Sequence, residues 1–65
     1  MTEINWEEPF CAEGNNCFSI GTDTDGNSYI SLLGEEDRYL TDSRAALQTM
    51  IRDIKAGKAD HLLQD

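Results

Sequence analysis

LTDSRAALQTMIRDIKAG, residues 40–57, carries the clearest structural signal in the chain. Leu47, Met50, Ile51 and Ile54 fall at i, i+3, i+4 and i+7, which places them in one apolar stripe of a 3.6-residue helix. Thr41 is the expected N-cap, with Asp42 beside it at the positive end of the dipole and Leu40 stapling the entry. Arg52, Lys55 and Lys58 suit the other end, and Gly57 is the residue type that enters the left-handed C′ conformation without a Cβ clash. One amphipathic helix cannot bury its stripe alone, so the preceding residues must supply a sheet.

Cys17-Phe18-Ser19-Ile20 alternates, and Ser28-Tyr29-Ile30-Ser31-Leu32-Leu33 resumes the alternation after the polar turn GTDTDGN. These two runs predict a β-hairpin, with Asp25-Gly26-Asn27 supplying turn chemistry. Phe18, Ile20, Ile30 and Leu32 would face the helix, while Ser19, Tyr29 and Ser31 take the other side. Arg38-Tyr39-Leu40 is either a third short strand or the lead-in to the helix. The expected class is α+β: a small antiparallel sheet of two to three strands packed against one C-terminal amphipathic helix. Phe18, Ile20, Ile30, Leu32, Leu47, Met50, Ile51 and Ile54 form the expected core. The layout is one domain over 1–65, with an irregular arm at 1–16, a hairpin at 17–33, the helix at 41–57 and a tail at 58–65.

Sixty-five residues lie below the size at which one core readily offsets an ordering entropy of about 1.5 kcal/mol per residue. Dimerisation or a partner would add burial, so a homodimer is among the expectations. No apolar run is long enough for a membrane span, and the N-terminus lacks a basic-then-apolar signal layout. The expected location is cytoplasmic, with no membrane partner. In that setting Cys11 and Cys17 are expected as free thiols, Cys17 as a small core residue.

The net charge of −8 is unevenly placed. Residues 1–37 hold nine acids and no Lys or Arg, whereas residues 38–65 hold five bases and four acids, so the halves carry −9 and +1. An acidic half repels phosphate and excludes direct nucleic-acid binding, while it attracts a basic protein. Trp6, beside Glu7 and Glu8, is read either as a lid on the core or as a partner anchor. The partner-binding candidates are Trp6, Glu7, Glu8, Glu35, Glu36 and Asp37.

No catalytic or phosphate-binding template is present, and so small a chain offers no deep pocket, so neither an enzyme, a cofactor nor a small-molecule substrate is expected. His61 is the only histidine, which with two cysteines makes a poor zinc set. Asp23, Asp25, Asn27, Tyr29 and Ser31 do imitate positions 1, 3, 5, 7 and 9 of a calcium loop. The decisive positions differ: Ser28 replaces the turn glycine and Gly34 the closing glutamate.

The order of parts resembles a small actinobacterial family catalogued as domain of unknown function 397, the BldB-like regulatory proteins. The resemblance rests on Trp6, on Asn16-Cys17 opening an alternating strand with Phe18 and Ile20, and on Tyr29 to Leu33 as the second strand. It continues through Leu40-Thr41 before the helix, Lys55-Ala56-Gly57 closing it, and Asp60 beyond. The chain departs from the family where Ser31-Leu32-Leu33-Gly34 stands for an Arg-Asp-Ser-Lys-like segment. The helix also carries Leu47, Met50 and Ile51 in place of Trp and Phe-Leu. The resemblance implies a regulatory partner of helix-turn-helix proteins, either developmental or toxin–antitoxin-like. An acidic DNA-mimic inhibitor is the alternative expectation, followed by a calcium-binding module.

Overall fold

The computed structural model describes residues 3–12 and 17–64. Glu13, Gly14 and Asn16 of the Asn-Cys pair lie outside the described residues, as do the first two positions of the arm.

The class is α+β, but the sheet has five strands rather than two or three. They are β1 (Asn5–Trp6), β2 (Phe10–Cys11), β3 (Cys17–Thr22), β4 (Asn27–Leu32) and β5 (Tyr39–Ser43), followed by the helix α1 (Arg44–Lys55) and a 3₁₀ turn at Asp60–Leu63. All pairings are antiparallel. β3, β4 and β5 form a meander, and β1 and β2 share the outer edge of β3: Trp6 lies opposite Gly21, Phe10 opposite Phe18 and Cys11 opposite Cys17.

That last pair is a disulfide, which corrects the expectation of free thiols. Cys11 and Cys17 are register partners on adjacent strands with Cα atoms 4.2 Å apart, so pairing β2 with β3 is what brings the sulfurs together. The expectation of reduced cysteines followed from the reading of the N-terminus, and spacing alone could not foresee the register. Among the described residues no helix is long and apolar enough to cross a membrane.

The boundaries of α1 differ from those expected. Thr41 is not the N-cap: Leu40 and Thr41 belong to β5, which runs into the helix without a loop, and Ser43 caps by accepting from the Ala46 N–H at 3.1 Å. Ser28 explains the shift, because its buried hydroxyl is shared between the Asp42 and Ser43 carbonyls and holds this segment in the sheet. The far end follows the sequence. Gly57 has φ +97°, its N–H reaches the Ile54 carbonyl at 3.1 Å, and Lys58 N–H reaches Asp53 at 3.0 Å, a Schellman closure.

The period-2 pattern divides the faces as expected, but burial does not follow it. Cys17, Ser19, Gly21, Asp23, Tyr29 and Ser31 are buried, all on the face away from α1. Ile4 and Trp6 cover Gly21 so closely that a Cβ there would stand 2.7 Å from Ile4 and 2.9 Å from the indole. Tyr29 continues the cover, its ring 6.4 Å from Trp6 and 4.9 Å from Tyr39 in an edge-on contact. The Ser31 hydroxyl is shared between the Glu35 and Arg38 carbonyls and ties down the β4–β5 turn.

The face toward α1 is open, which corrects the expected single core. Leu47 is 9% exposed against β4 and β5, but exposure rises to 38% at Met50, 43% at Ile51 and 49% at Ile54, and Phe18 reaches 63%. The helix meets the sheet at its first turn and leaves the rest of its stripe uncovered. Leu47→Ala should therefore lower the unfolding free energy by about 2–4 kcal/mol, whereas Ile51→Ala should cost about 1 kcal/mol or less. Denaturant titrations of the two variants check the order, which a closed core would make equal.

Closing the short loop between Cys11 and Cys17 restricts the unfolded chain, so replacing both by Ser should remove about 2 kcal/mol. Melts of the variant and of the parent with reductant should agree.

Candidate functional site

Chemistry in this chain concentrates at two places. The first is the hairpin tip. Asp23 is 1% exposed, and both carboxylate oxygens are occupied. Oδ1 accepts from the backbone N–H groups of Asp25 and Asn27 at 2.9 and 3.0 Å; Oδ2 accepts from the Asn27 amide at 3.0 Å and the Tyr29 hydroxyl at 2.5 Å. Gly26, with φ +87°, supplies the left-handed residue of the tip. The tip in turn receives the helix: Arg44 N–H donates to the Gly26 carbonyl and its guanidinium to the Asp23 carbonyl, both at 2.8 Å.

The Tyr29 hydroxyl, more than any other donor, holds the Asp23 carboxyl down to about 2 from its ordinary 3.8, with Asn27 and Asp25 adding to it against the opposing effect of burial. The same bond pushes the Tyr29 phenol above its ordinary 10.0. This is structural chemistry: the loop that imitated a calcium site spends its first carboxylate on its own turn. Among the described residues no group of three or more acid, His or Cys side chains is assembled for a metal.

Asp23 binds fewer protons folded than unfolded as pH falls through 4, so its contribution is present above about pH 4 and lost toward pH 2. Asp23→Asn should destabilise the protein at neutral pH and flatten the acid limb between pH 4 and 2. Urea titrations across that range check it, and millimolar calcium should leave the parent melting temperature unchanged.

The second place is a trough on the open face. Its floor is Phe18 and Ile20 of β3, Ile30 and Leu32 of β4 and Leu40 of β5; Met50, Ile51 and Ile54 of α1 overhang it, Met50 toward β5 and Ile51 toward β2, and Phe10 closes an end. The segment between sheet and helix encloses about 500 Å³. Four acids stand on the rim: Glu7 and Glu8 beside Phe10 and Ile20, Glu35 beside Phe18 and Leu32, and Asp42 beside Leu40. Arg38 and Lys55 are the bases that line it.

The six candidate residues are therefore divided. Glu7 and Glu8 border the open face near β1 and β2, and Glu35 borders it from the β4–β5 turn at the other side. Trp6 packs on Gly21 across the sheet, as a lid on the buried face. Glu36 folds its carboxylate onto the Gly34 N–H at 2.9 Å and shapes the turn, in which Asp37 is exposed. All the floor residues except Leu40 were assigned to a core, and no local signal separates the two, because the exposure depends on the angle at which α1 leaves the sheet.

No protein-family model matches the chain, and no curated protein or solved structure matches it significantly.

Proposed function

We propose that this chain is a small, acidic, non-enzymatic regulatory protein that acts by binding a basic helix-turn-helix transcriptional regulator. The observation that carries the reading is the apolar trough with Glu7 and Glu8 at one part of its rim and Glu35 at another. A contiguous apolar surface of this kind, rimmed by charge, is a protein-contact surface. The acids add the sign of the partner: with −9 over residues 1–37, a basic protein is attracted and phosphate repelled. The likeness to the domain of unknown function 397 family supplies the helix-turn-helix class. An aliphatic floor favours this reading over DNA mimicry, which calls for rows of carboxylates.

The test starts from the helix-turn-helix protein recovered with the chain from a lysate and identified by mass. Association should slow as salt rises while dissociation changes less. Reversing Glu7, Glu8 and Glu35 to Lys should lower the low-salt association rate about tenfold and leave the melt in place. A folded variant that associates at the parent rate across all salt concentrations would overturn the proposal, as would turnover of a substrate by the chain itself.

A further inference from the structure

The trough also specifies the shape of what enters it. Its floor side chains, Phe18, Ile20, Ile30, Leu32 and Leu40, carry no hydrogen-bonding group. An extended peptide laid on them would bury backbone N–H and C=O groups without partners, which is unfavourable for each group. A helix brings those bonds satisfied within itself. The room lies beyond Leu47, where α1 draws away from the sheet: the space lined by Phe10, Phe18, Ile20 and Ile30 below and by Met50, Ile51 and Ile54 above is about 500 Å³ and takes the apolar side chains of a helix. Met50, Ile51 and Ile54 overhang this space half-covered and offer the apolar side chains that helix-on-helix packing requires.

We propose that the trough receives an amphipathic α-helix of the partner, laid on the sheet beside α1, with apolar residues at i, i+3, i+4 and i+7 and Lys or Arg at its flanks. The inference rests on the protein-binding reading above and deepens it. The incoming helix completes the layer that α1 begins, two helices on one sheet face, and buries what the chain alone leaves open. Charge selects the occupant: the rim holds Glu7, Glu8, Glu35 and Asp42 against Arg38 and Lys55, which matches basic flanks. A second copy is disfavoured by the same rim and by its own charge of −8.

The probe is a synthetic peptide of about 18 residues with Leu on one helical face and Lys at both ends, titrated by fluorescence anisotropy against the full chain. Its controls are a peptide of the same composition with strictly alternating Leu and Lys, and the helical peptide with Glu flanks. The helical Lys peptide should bind, and both controls should bind at least tenfold more weakly. Phe18→Ser and Ile54→Ser, at positions exposed enough to leave the fold intact, should each weaken binding about thirtyfold, whereas Leu63→Ser, outside the trough, should not.

Equal binding of the alternating peptide would overturn the helix, and unchanged affinity in both folded trough variants would overturn the site. Sedimentation showing a dimer of the chain that Phe18→Ser dissolves would assign the trough to a second copy instead. If the regulator still bound the Phe18→Ser variant in a salt-steered manner, this inference would fail while the proposed function stood.

Discussion

Asp23 sits where the two halves of the structure are joined. Its carboxylate gathers four donors from Asp25, Asn27 and Tyr29, and this closes the tip of the β3–β4 hairpin. The closed tip then offers two carbonyls, Gly26 and Asp23, to the first residue of the helix. An N–H at the start of a helix has no partner within the helix, so this contact satisfies a group that would otherwise need water. One buried carboxylate thereby sets both the hairpin and the point from which α1 departs. Burying a charge is tolerable only with such a complement of donors, which is why the residue that looked like a metal ligand is a scaffold.

Departure from that point determines which face is covered. Ser28 holds Asp42 and Ser43 in the sheet, and β5 passes into α1 without a loop, so the helix has little freedom to fold back over the strands. Leu47 reaches the sheet and the residues beyond it progressively do not. Cover on the other face comes from the N-terminal arm. Gly21 gives Ile4 and Trp6 room to lie flat, and Tyr29 and Tyr39 extend the aromatic layer. The disulfide fixes β2 at the margin of the sheet and with it Phe10 at the end of the trough. A small protein thus folds on a polar and aromatic face and leaves its most apolar face open.

Much of this was legible in the sequence. Alternation assigned Phe18, Ile20, Ile30 and Leu32 to one face and Ser19, Tyr29 and Ser31 to the other, because a strand's period of two follows from backbone geometry alone. The helix stripe and the Gly57 stop were equally local, as was the hairpin turn at Gly26. Two misreadings share one cause. Thr41 lost the cap to Ser43 because Ser28, far away in sequence, holds the segment in a strand. Cys11 and Cys17 pair because of a strand register that five intervening residues do not specify. Of the two readings open for Trp6, lid or anchor, its place against Gly21 is that of a lid, on the opposite face from Glu7, Glu8 and Glu35.

The sequence by itself determined the β3–β4 hairpin, the helix and the side of each on which apolar groups lie, since these depend on residues within a few positions of one another, whereas β1 and β2, in what read as an irregular arm, form only by pairing with β3. It also determined that the acids concentrate in residues 1–37. Only the tertiary structure decided which face is closed, because closure depends on the angle at which α1 leaves the sheet and on where the N-terminal arm folds. Those are set by long-range bonds: Arg44 to the hairpin tip, Ser28 to the end of β5, and Trp6 against Gly21. An apolar side chain carries the same hydrophobicity whether a neighbour in the same chain covers it or a partner does, so pattern cannot separate core from contact.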